Sequence, residues 1–381
     1  MANYLVFGSG NIGPAIIRFL IEDPETEKVH VIDKNEERLQ TSIRKFRGHS
    51  EMTKIKSFFL SSDDPEIIRL LSGIDMIITA MPWKPTFELI KNTRYLNIPL
   101  VSITRPNYDD LESLYSMVSS SSSSVIVGCG LEPGLTEILA NHCISIFPDT
   151  IKLNIYCGGI TTVPNPPVFY KQVFGDELPI SERKAYQFKD SKLIFVDRFS
   201  GIEKITLDEI GTLEAWNDGM APWLIKNINS EMVTEINQKT LRWHGFSNMI
   251  SLLRQLGFTR KKPIVLNGNQ EIEPYQLTQF LLREHVYFDH SKDRDMVILH
   301  IQGETNNRKI YKVTLKGTYD TQFGLSAMAS TTGYTTAITA KTLLNKKSLG
   351  LIHPEQLFKG ENYPILIREL YQRGIQLTHF K

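Results

Sequence analysis

The sequence predicts an α/β fold: a doubly wound parallel sheet joined to a second, α+β domain whose sheet is largely antiparallel. Three observations carry this. Short apolar runs alternate with helical patterns over about the first 145 residues; longer alternating strands then run to about residue 320; the last sixty or so residues return to helix. Alternating β and α elements favour a parallel sheet covered on both faces, and strand-rich stretches favour antiparallel pairing.

The first region reads as strands over 4–7, 29–32, 55–59, 76–79, 100–102 and 125–127, with helices over 12–22, 35–47, 65–71, 85–95 and 108–118. The middle region reads as strands over 151–156, 231–243, 296–301 and 309–318. Between the first two of these, the stretch 161–167 carries Pro164, Pro166 and Pro167 and reads as a loop. Helices follow over 324–344 and 364–373. Six serines, Ser119 to Ser124, read as a polar, solvent-facing turn between the fifth helix and the sixth strand. The segments are therefore 1–128, 129–323 and 324–381.

At 381 residues the chain is long for one core, and two or three domains are expected. A net charge of +1 offers no electrostatic footprint for nucleic acid or an anionic membrane. The longest apolar stretches, such as 74–82, fall short of the roughly 20 residues of a membrane span, and strand-like residues begin at Tyr4 with no basic leader, so a cytoplasmic protein is expected. Cys129, Cys143 and Cys157 are odd in number and widely spaced, and neither CxxC nor a Cys/His cluster occurs. Neither a disulfide framework nor a metal site is expected.

The strongest local signal is Val6-Phe7-Gly8-Ser9-Gly10-Asn11-Ile12-Gly13, a GxGxxG that leaves a strand and opens a helix. Gly8 suits a tight turn, Gly10 lets backbone approach a pyrophosphate, and Gly13 lets helix and strand pack closely. The helix start at Asn11 and Ile12 offers free N–H groups to phosphate. This is a Rossmann-type dinucleotide site. Asp33 ends the second strand twenty positions after Gly13, where a carboxylate accepts from ribose hydroxyls and repels a 2′-phosphate. NAD is thus favoured over NADP, although Lys34 and Arg38 nearby could accommodate a phosphate. The ends of the fourth and fifth strands, Thr79-Ala80-Met81 and Ser102, are placed for the nicotinamide side of the cofactor; both read equally well as ordinary strand-to-helix turns.

Beyond the fingerprint, the chain resembles the saccharopine dehydrogenase family, and within it the lysine 6-dehydrogenases. The likeness rests on Gly130-Leu131-Glu132-Pro133-Gly134, Gly158-Gly159-Ile160 with Pro164-Asn165-Pro166-Pro167, Gly211-Thr212-Leu213-Glu214-Ala215, Lys239-Thr240-Leu241-Arg242, Thr332-Gly333-Tyr334-Thr335 and Pro354-Glu355-Gln356. It implies a substrate and dimerisation role for the α+β domain, a homodimer or larger assembly, and C-terminal helices packing back on the nucleotide-binding domain. It also implies oxidation of an amino acid at an amine-bearing carbon, with hydride passing to NAD and the imine hydrolysing to a semialdehyde. Two departures leave other family chemistries open. Arg242-Trp243-His244-Gly245-Phe246 has Phe where the family commonly has His after the Gly, and Glu132 is acidic, as in the saccharopine-forming reductases. A saccharopine reductase or opine-type enzyme, a carboxynorspermidine-type dehydrogenase and an inactive NAD-binding regulatory protein are the alternatives.

That chemistry asks for groups that move protons and groups that hold carboxylates. Lys91, which the resemblance aligns with a shared family lysine, serves the first if desolvated and is otherwise a surface charge. Glu132 and His244 are the other catalytic candidates, against a helix-start dipole partner and a structural imidazole respectively. Arg242 is the candidate carboxylate clamp, with a strand-edge charge as its alternative, and Glu214 and Tyr170 are further substrate-binding candidates.

Overall fold

The computed structural model describes residues 1–106, 108–175, 178–228, 231–266, 270–346 and 348–380. Chain order begins β1 (Ala2–Phe7), α1 (Gly13–Glu22), β2 (Thr26–Asp33), α2 (Glu36–Arg44), β3 (Ile55–Phe59), α3 (Ile67–Leu70), β4 (Met76–Thr79), α4 (Trp83–Thr93), β5 (Leu100–Ser102), α5 (Tyr108–Val118), β6 (Ser124–Ile126) and α6 (Leu135–Ile146). It continues β7 (Thr150–Thr161), β8 (Lys184–Lys189), β9 (Lys192–Asp197), β10 (Glu203–Leu207), β11 (Gly211–Asn217), α7 (Leu224–Asn227), β12 (Glu235–Trp243), α8 (Phe246–Gln255), β13 (Ile264–Val265), β14 (Glu271–Ile272) and α9 (Pro274–Val286). It ends β15 (Asp295–Thr305), β16 (Ile310–Thr318), α10 (Ala327–Leu344), β17 (Gly350–Ile352), α11 (Pro354–Leu357), α12 (Asn362–Tyr371) and β18 (Gln376–Phe380). No described helix is long and apolar enough to cross a membrane.

Two compact units result. One comprises Met1–Ile146, Ala221–Asn229 and Asp320–Leu377, the other Phe147–Met220, Ser230–Tyr319 and Thr378–Lys381. The boundary expected at 128 therefore moves to 146, and 221–229 joins the first unit. The reason is burial: α6 hides Leu135, Ile138 and Leu139, and Trp223 is fully buried with Leu111 and Ala221 while stacking on His353 at 4.8 Å.

The first unit holds a seven-stranded sheet in the order β17-β6-β5-β4-β1-β2-β3, with every neighbouring pair parallel. Strand order reverses beside β1, which is where such sheets open a ligand crevice beyond their carboxyl ends. The doubly wound expectation holds, with β17 an extra strand too short to be read from its residues. The serine turn is less exposed than expected: Ser121, Ser123 and Ser124 are buried, Ser121 Oγ donates to Arg94 O at 2.9 Å, and Ser124 already belongs to β6.

Helix α10 packs along α1 and is buried nearly all round. Three of its buried threonines satisfy their hydroxyls within the helix: Thr335 donates to Thr331 O, Thr339 to Thr335 O and Thr342 to Ile338 O, at 2.7–2.8 Å. Gly333 is the close-approach point, where a Cβ would lie 2.6 Å from Ala15 Cβ and 3.1 Å from Ile12 O.

The second unit is built on a mixed nine-stranded sheet, β10-β11-β12-β7-β15-β16-β18, with β8 pairing both β12 and β9. Among the described residues its registered strand pairs are antiparallel except β12 with β7, as the largely antiparallel reading anticipated. The hairpins β8–β9 and β10–β11 and the helices α8 and α9 were not foreseen; apart from the buried end of β11, their residues are half-exposed, and the apolar pattern is correspondingly weak.

Gly333→Ala tests the α1–α10 contact. Alanine is the better helix former by about 1 kcal/mol, but forcing a methyl into this contact costs typically 1–3 kcal/mol. A net loss of stability is expected, read as a lowered Tm; an unchanged or raised Tm removes the packing role.

Candidate active site

At the end of β1 the backbone turns through Gly8, whose φ is +95°. A Cβ there would sit 2.6 Å from Ala80 O, and Ala80 N donates to Phe7 O at 2.7 Å, so β1 and β4 close on each other at this point. A Cβ on Gly13 would meet Gly8 O at 2.4 Å. Gly8 and Gly13 are thus required by the fold itself. Gly10 is different: a Cβ there meets nothing closer than Arg38 Cδ at 3.7 Å. Its bareness keeps the turn open towards a ligand at the N-terminus of α1, which Asn11 and Ile12 precede.

Asp33 is buried and ties β2 to this turn. Oδ2 accepts from Ser9 N and Ser9 Oγ, both at 2.8 Å, and Oδ1 accepts from Asn35 N at 2.9 Å. Oδ1 retains capacity for a second donor, as a ribose hydroxyl would supply. Lys34 points to solvent, whereas the Arg38 side chain reaches back over Gly10. Thr79 is buried with its hydroxyl 3.3 Å from Thr86 Oγ1, Met81 packs partly into the core beneath β4, and Ser102 accepts from Thr104 N at 3.1 Å. These three shape the carboxyl-end turns of the sheet.

Lys91 departs from its expected setting. Its side chain is 55% exposed on α4 and its Nζ lies 3.6 Å from Glu88 on the same helix. Glu132 is exposed on the Gly130–Gly134 turn. That turn is tightly held: Gly130 N donates to Pro133 O at 2.8 Å, Leu135 N to Gly130 O at 2.9 Å, and Gly134 N to the buried Glu137 Oε2 at 2.6 Å.

In the second unit, β11 and β12 place Glu214 opposite Arg242 and Trp216 opposite Thr240. Glu214 was a substrate candidate, but its carboxylate is spent inside the chain. Oε1 accepts from Ser247 N and Oε2 from Gly245 N, which caps α8, while His244 Nδ1 stands 3.3 Å from Oε2. Both oxygens thereby accept at least one hydrogen bond within the chain. His244 itself is half exposed.

Arg242 is buried, so the strand-edge surface reading fails. Its Nη1 donates to Leu241 O at 2.7 Å, its guanidinium lies 4.8 Å over the Tyr170 ring, and its Nε has no partner among the described residues. Tyr170 Oη, Trp216 Nε1 and Ser247 Oγ are buried and unpartnered in the same way. Burial raises the Tyr170 pKa while Arg242 opposes the rise. Trp216 and Ser247 escaped the sequence reading; the available signal was Trp216 two residues along the strand from Glu214, hence on the same face.

A buried ion cluster was missed entirely. Asp218 meets Arg198 Nε at 2.6 Å and Arg183 Nη2 at 2.5 Å, and Thr240 Oγ1 donates to it at 2.7 Å. Burial would raise the carboxyl, but Arg198 and Arg183 outweigh it and hold the pKa down at about 2. Among the described residues, no group of three His, Cys, Asp or Glu could hold a metal ion.

The family model described as saccharopine dehydrogenase C-terminal domain matches residues 130–375. The chain belongs to the saccharopine dehydrogenase family. It is 24% identical over 212 residues to an alpha-aminoadipic semialdehyde synthase from Arabidopsis thaliana, covering 52% of this chain but only 20% of that protein. This chain thus spans about a fifth of that relative's length. Its fold resembles that of the saccharopine dehydrogenase (L-Glu forming) from Saccharomyces cerevisiae, with TM-score 0.78 and 18% identity over 100% of both chains. It also resembles the homospermidine synthase from Legionella pneumophila solved with NAD, at TM-score 0.66 and 11% identity over 100% of this chain and 91% of that one. Membership carries the fold and the alignment of motifs, and leaves the substrate to be argued.

Glu214→Ala should act on stability before chemistry. It strands the buried Ser247 N–H, at about 1–3 kcal/mol, and removes the acceptor of the half-buried Gly245 N–H as well. A marked fall in Tm is expected; a change in KM with stability intact would restore Glu214 to substrate binding.

Proposed function

We propose that this chain is an NAD-dependent oxidoreductase acting on the CH–NH group of an amino acid, with lysine 6-dehydrogenase-like oxidation as the leading reading. The observation that carries it is Arg242, a buried guanidinium with no carboxylate of the described chain upon it. Buried charges are ordinarily paired, and a planar fork of donors matches a carboxylate, which every amino-acid substrate brings. Family membership and the open turn at Gly10 support the cofactor half of the reading.

Gly10, the first amides of α1 and Asp33 would hold the dinucleotide, and when bound it accepts a hydride from the amine-bearing carbon. The chain's own groups bind and orient the substrate and move protons. Arg242, with the Tyr170 hydroxyl beside it, would fix the carboxylate and so set which carbon is presented. The substrate ammonium must lose a proton before hydride leaves, and the resulting imine then takes up water to release ammonia and a semialdehyde. Glu132, on its clamped turn, and His244, backed by Glu214, are the groups this reading assigns to proton exchange. Lys91, with only Glu88 of its own helix beside its amine, is the third candidate. A second reading, the reductive joining of an amino acid to a keto acid as in saccharopine-forming enzymes, is favoured by the acidic Glu132.

Turnover separates these. Incubation with NAD or NADP and with lysine, saccharopine and a small amino-acid panel should reduce the cofactor with lysine under the first reading and with saccharopine under the second. No turnover on any amine would leave a nucleotide-binding regulatory protein. Arg242→Ala should raise KM strongly, because truncating a buried charged hydrogen bond costs roughly 2–5 kcal/mol; an unchanged KM overturns the clamp.

Asp33→Ser should shift the ratio of kcat/KM for NAD over NADP towards NADP, since it removes a repelling carboxylate while Arg38 remains over the turn. An unaltered ratio removes Asp33 from cofactor choice.

A further inference from the structure

Glu214 and His244 meet where β11, β12 and α8 join. Glu214 stands on β11 opposite Arg242 of β12. Just past Arg242 and Trp243, Gly245 turns the chain out of β12 with φ +114° and opens α8 in a single step. His244, the residue before that turn, has a side chain 53% exposed, while the Glu214 side chain beside it is 3% exposed.

The carboxylate cannot swing. Its Oε1 accepts from Ser247 N and its Oε2 from Gly245 N at 3.2 Å, so the first amides of α8 fix both oxygens. Oε2 is also the atom that meets His244, 3.3 Å from Nδ1. A carboxylate only accepts hydrogen bonds, and a neutral imidazole carries its hydrogen on one nitrogen. Facing Oε2, Nδ1 is the nitrogen that must carry it. Nε2 is then the bare nitrogen, and it has no partner among the described residues. Free histidine side chains in water prefer the opposite tautomer, with the hydrogen on Nε2.

We propose that Glu214 is a positioning residue that holds His244 as the Nδ1–H tautomer, so that Nε2 takes the proton from the substrate ammonium. Resting on the amine oxidation proposed above, this assignment names which of its proton-exchange groups acts and with which atom. In the step, an N–H bond of the ammonium breaks and an Nε2–H bond forms. The electron pair stays on the amine nitrogen, from which it supports the later hydride transfer to the dinucleotide. The imidazolium so formed carries its charge beside an Oε2 that is already in place, and no group has to rotate to receive it.

The bland alternative is a glutamate that only caps α8, with the imidazole a bystander. The two differ in what Glu214→Gln does. Glutamine keeps the shape and an oxygen for Ser247 N, but it turns an NH2 donor towards Nδ1. A cap would lose part of its stability and leave the ring indifferent. A positioning residue would invert the tautomer.

The imidazole spectrum decides this without any substrate. With 15N-labelled histidine in the full chain, long-range proton–nitrogen correlations report both ring nitrogens of all nine histidines, and His244→Gln identifies the set that belongs to residue 244. At about pH 9, where imidazole is neutral, the wild-type ring should carry its hydrogen on Nδ1 and the Glu214→Gln ring on Nε2. A wild-type ring protonated on Nε2 overturns the proposal by itself, whether or not the variant folds. A Glu214→Gln ring that stays protonated on Nδ1 overturns it too. Kinetics then tests the use of Nε2. With the amine that turns over, His244→Gln and Glu214→Gln should each lower kcat about a hundredfold and leave KM within about twofold. The double variant should be no slower than His244→Gln, because Glu214 acts through the ring. Losses that multiply, or a His244→Gln enzyme with wild-type kcat, overturn the acceptor role. A chain that turns over no amine defeats the oxidation reading and the acceptor role with it, while the spectrum still decides whether Glu214 sets the tautomer.

Discussion

The contact between the Gly8 carbonyl and Gly13 governs the first unit. A single methyl at Gly13 would lie 2.4 Å from that oxygen, and one at Gly8 would lie 2.6 Å from Ala80 O. Three elements, β1, β4 and α1, therefore meet with only backbone between them. The N-terminus of α1 is delivered directly over the carboxyl end of the sheet, where its free amides and partial positive charge face outwards. Asp33 locks the arrangement from the side by holding Ser9 through both amide and hydroxyl. Everything proposed about cofactor binding depends on this convergence.

Much of that unit was legible in the residues. Strands buried on both faces give unbroken apolar runs, and the GxGxxG turn has a steric reason at each outer glycine. What was not legible has physical reasons as well. Strand β17 is three residues of only partial burial, and it is specified by its neighbour β6 rather than by its own pattern. Trp223 lies far along the chain from Leu111 and His353, against which it packs, and no local periodicity announces a residue that buries itself by a long return.

The second unit was harder to read because its determinants are cross-strand. Glu214 stands opposite Arg242 in register, which suggests an ion pair, yet the carboxylate turns to the amides at the start of α8 and leaves the guanidinium without a carboxylate partner. Spacing in sequence could nominate both residues but not say which oxygen meets which nitrogen. The Asp218 cluster was invisible for the same cause: Arg183, Arg198 and Thr240 come from different elements. Such a cluster contributes an orientation for the β12 face more than net stability, since charges taken from water recover little beyond their desolvation.

The path of the chain has a consequence for how the molecule is made. Neither unit is one contiguous stretch: the parallel-sheet unit takes in 221–229 and 320–377 as well as the first 146 residues. During synthesis, the early strands emerge long before α10 arrives to cover α1 and before β17 completes the sheet. The apolar face of α1 must therefore wait, exposed or provisionally covered, while the whole second unit is translated. A ribosome-bound fragment ending near residue 319 would carry an unfinished nucleotide fold, and no single cut in the gene could transplant that fold into another protein.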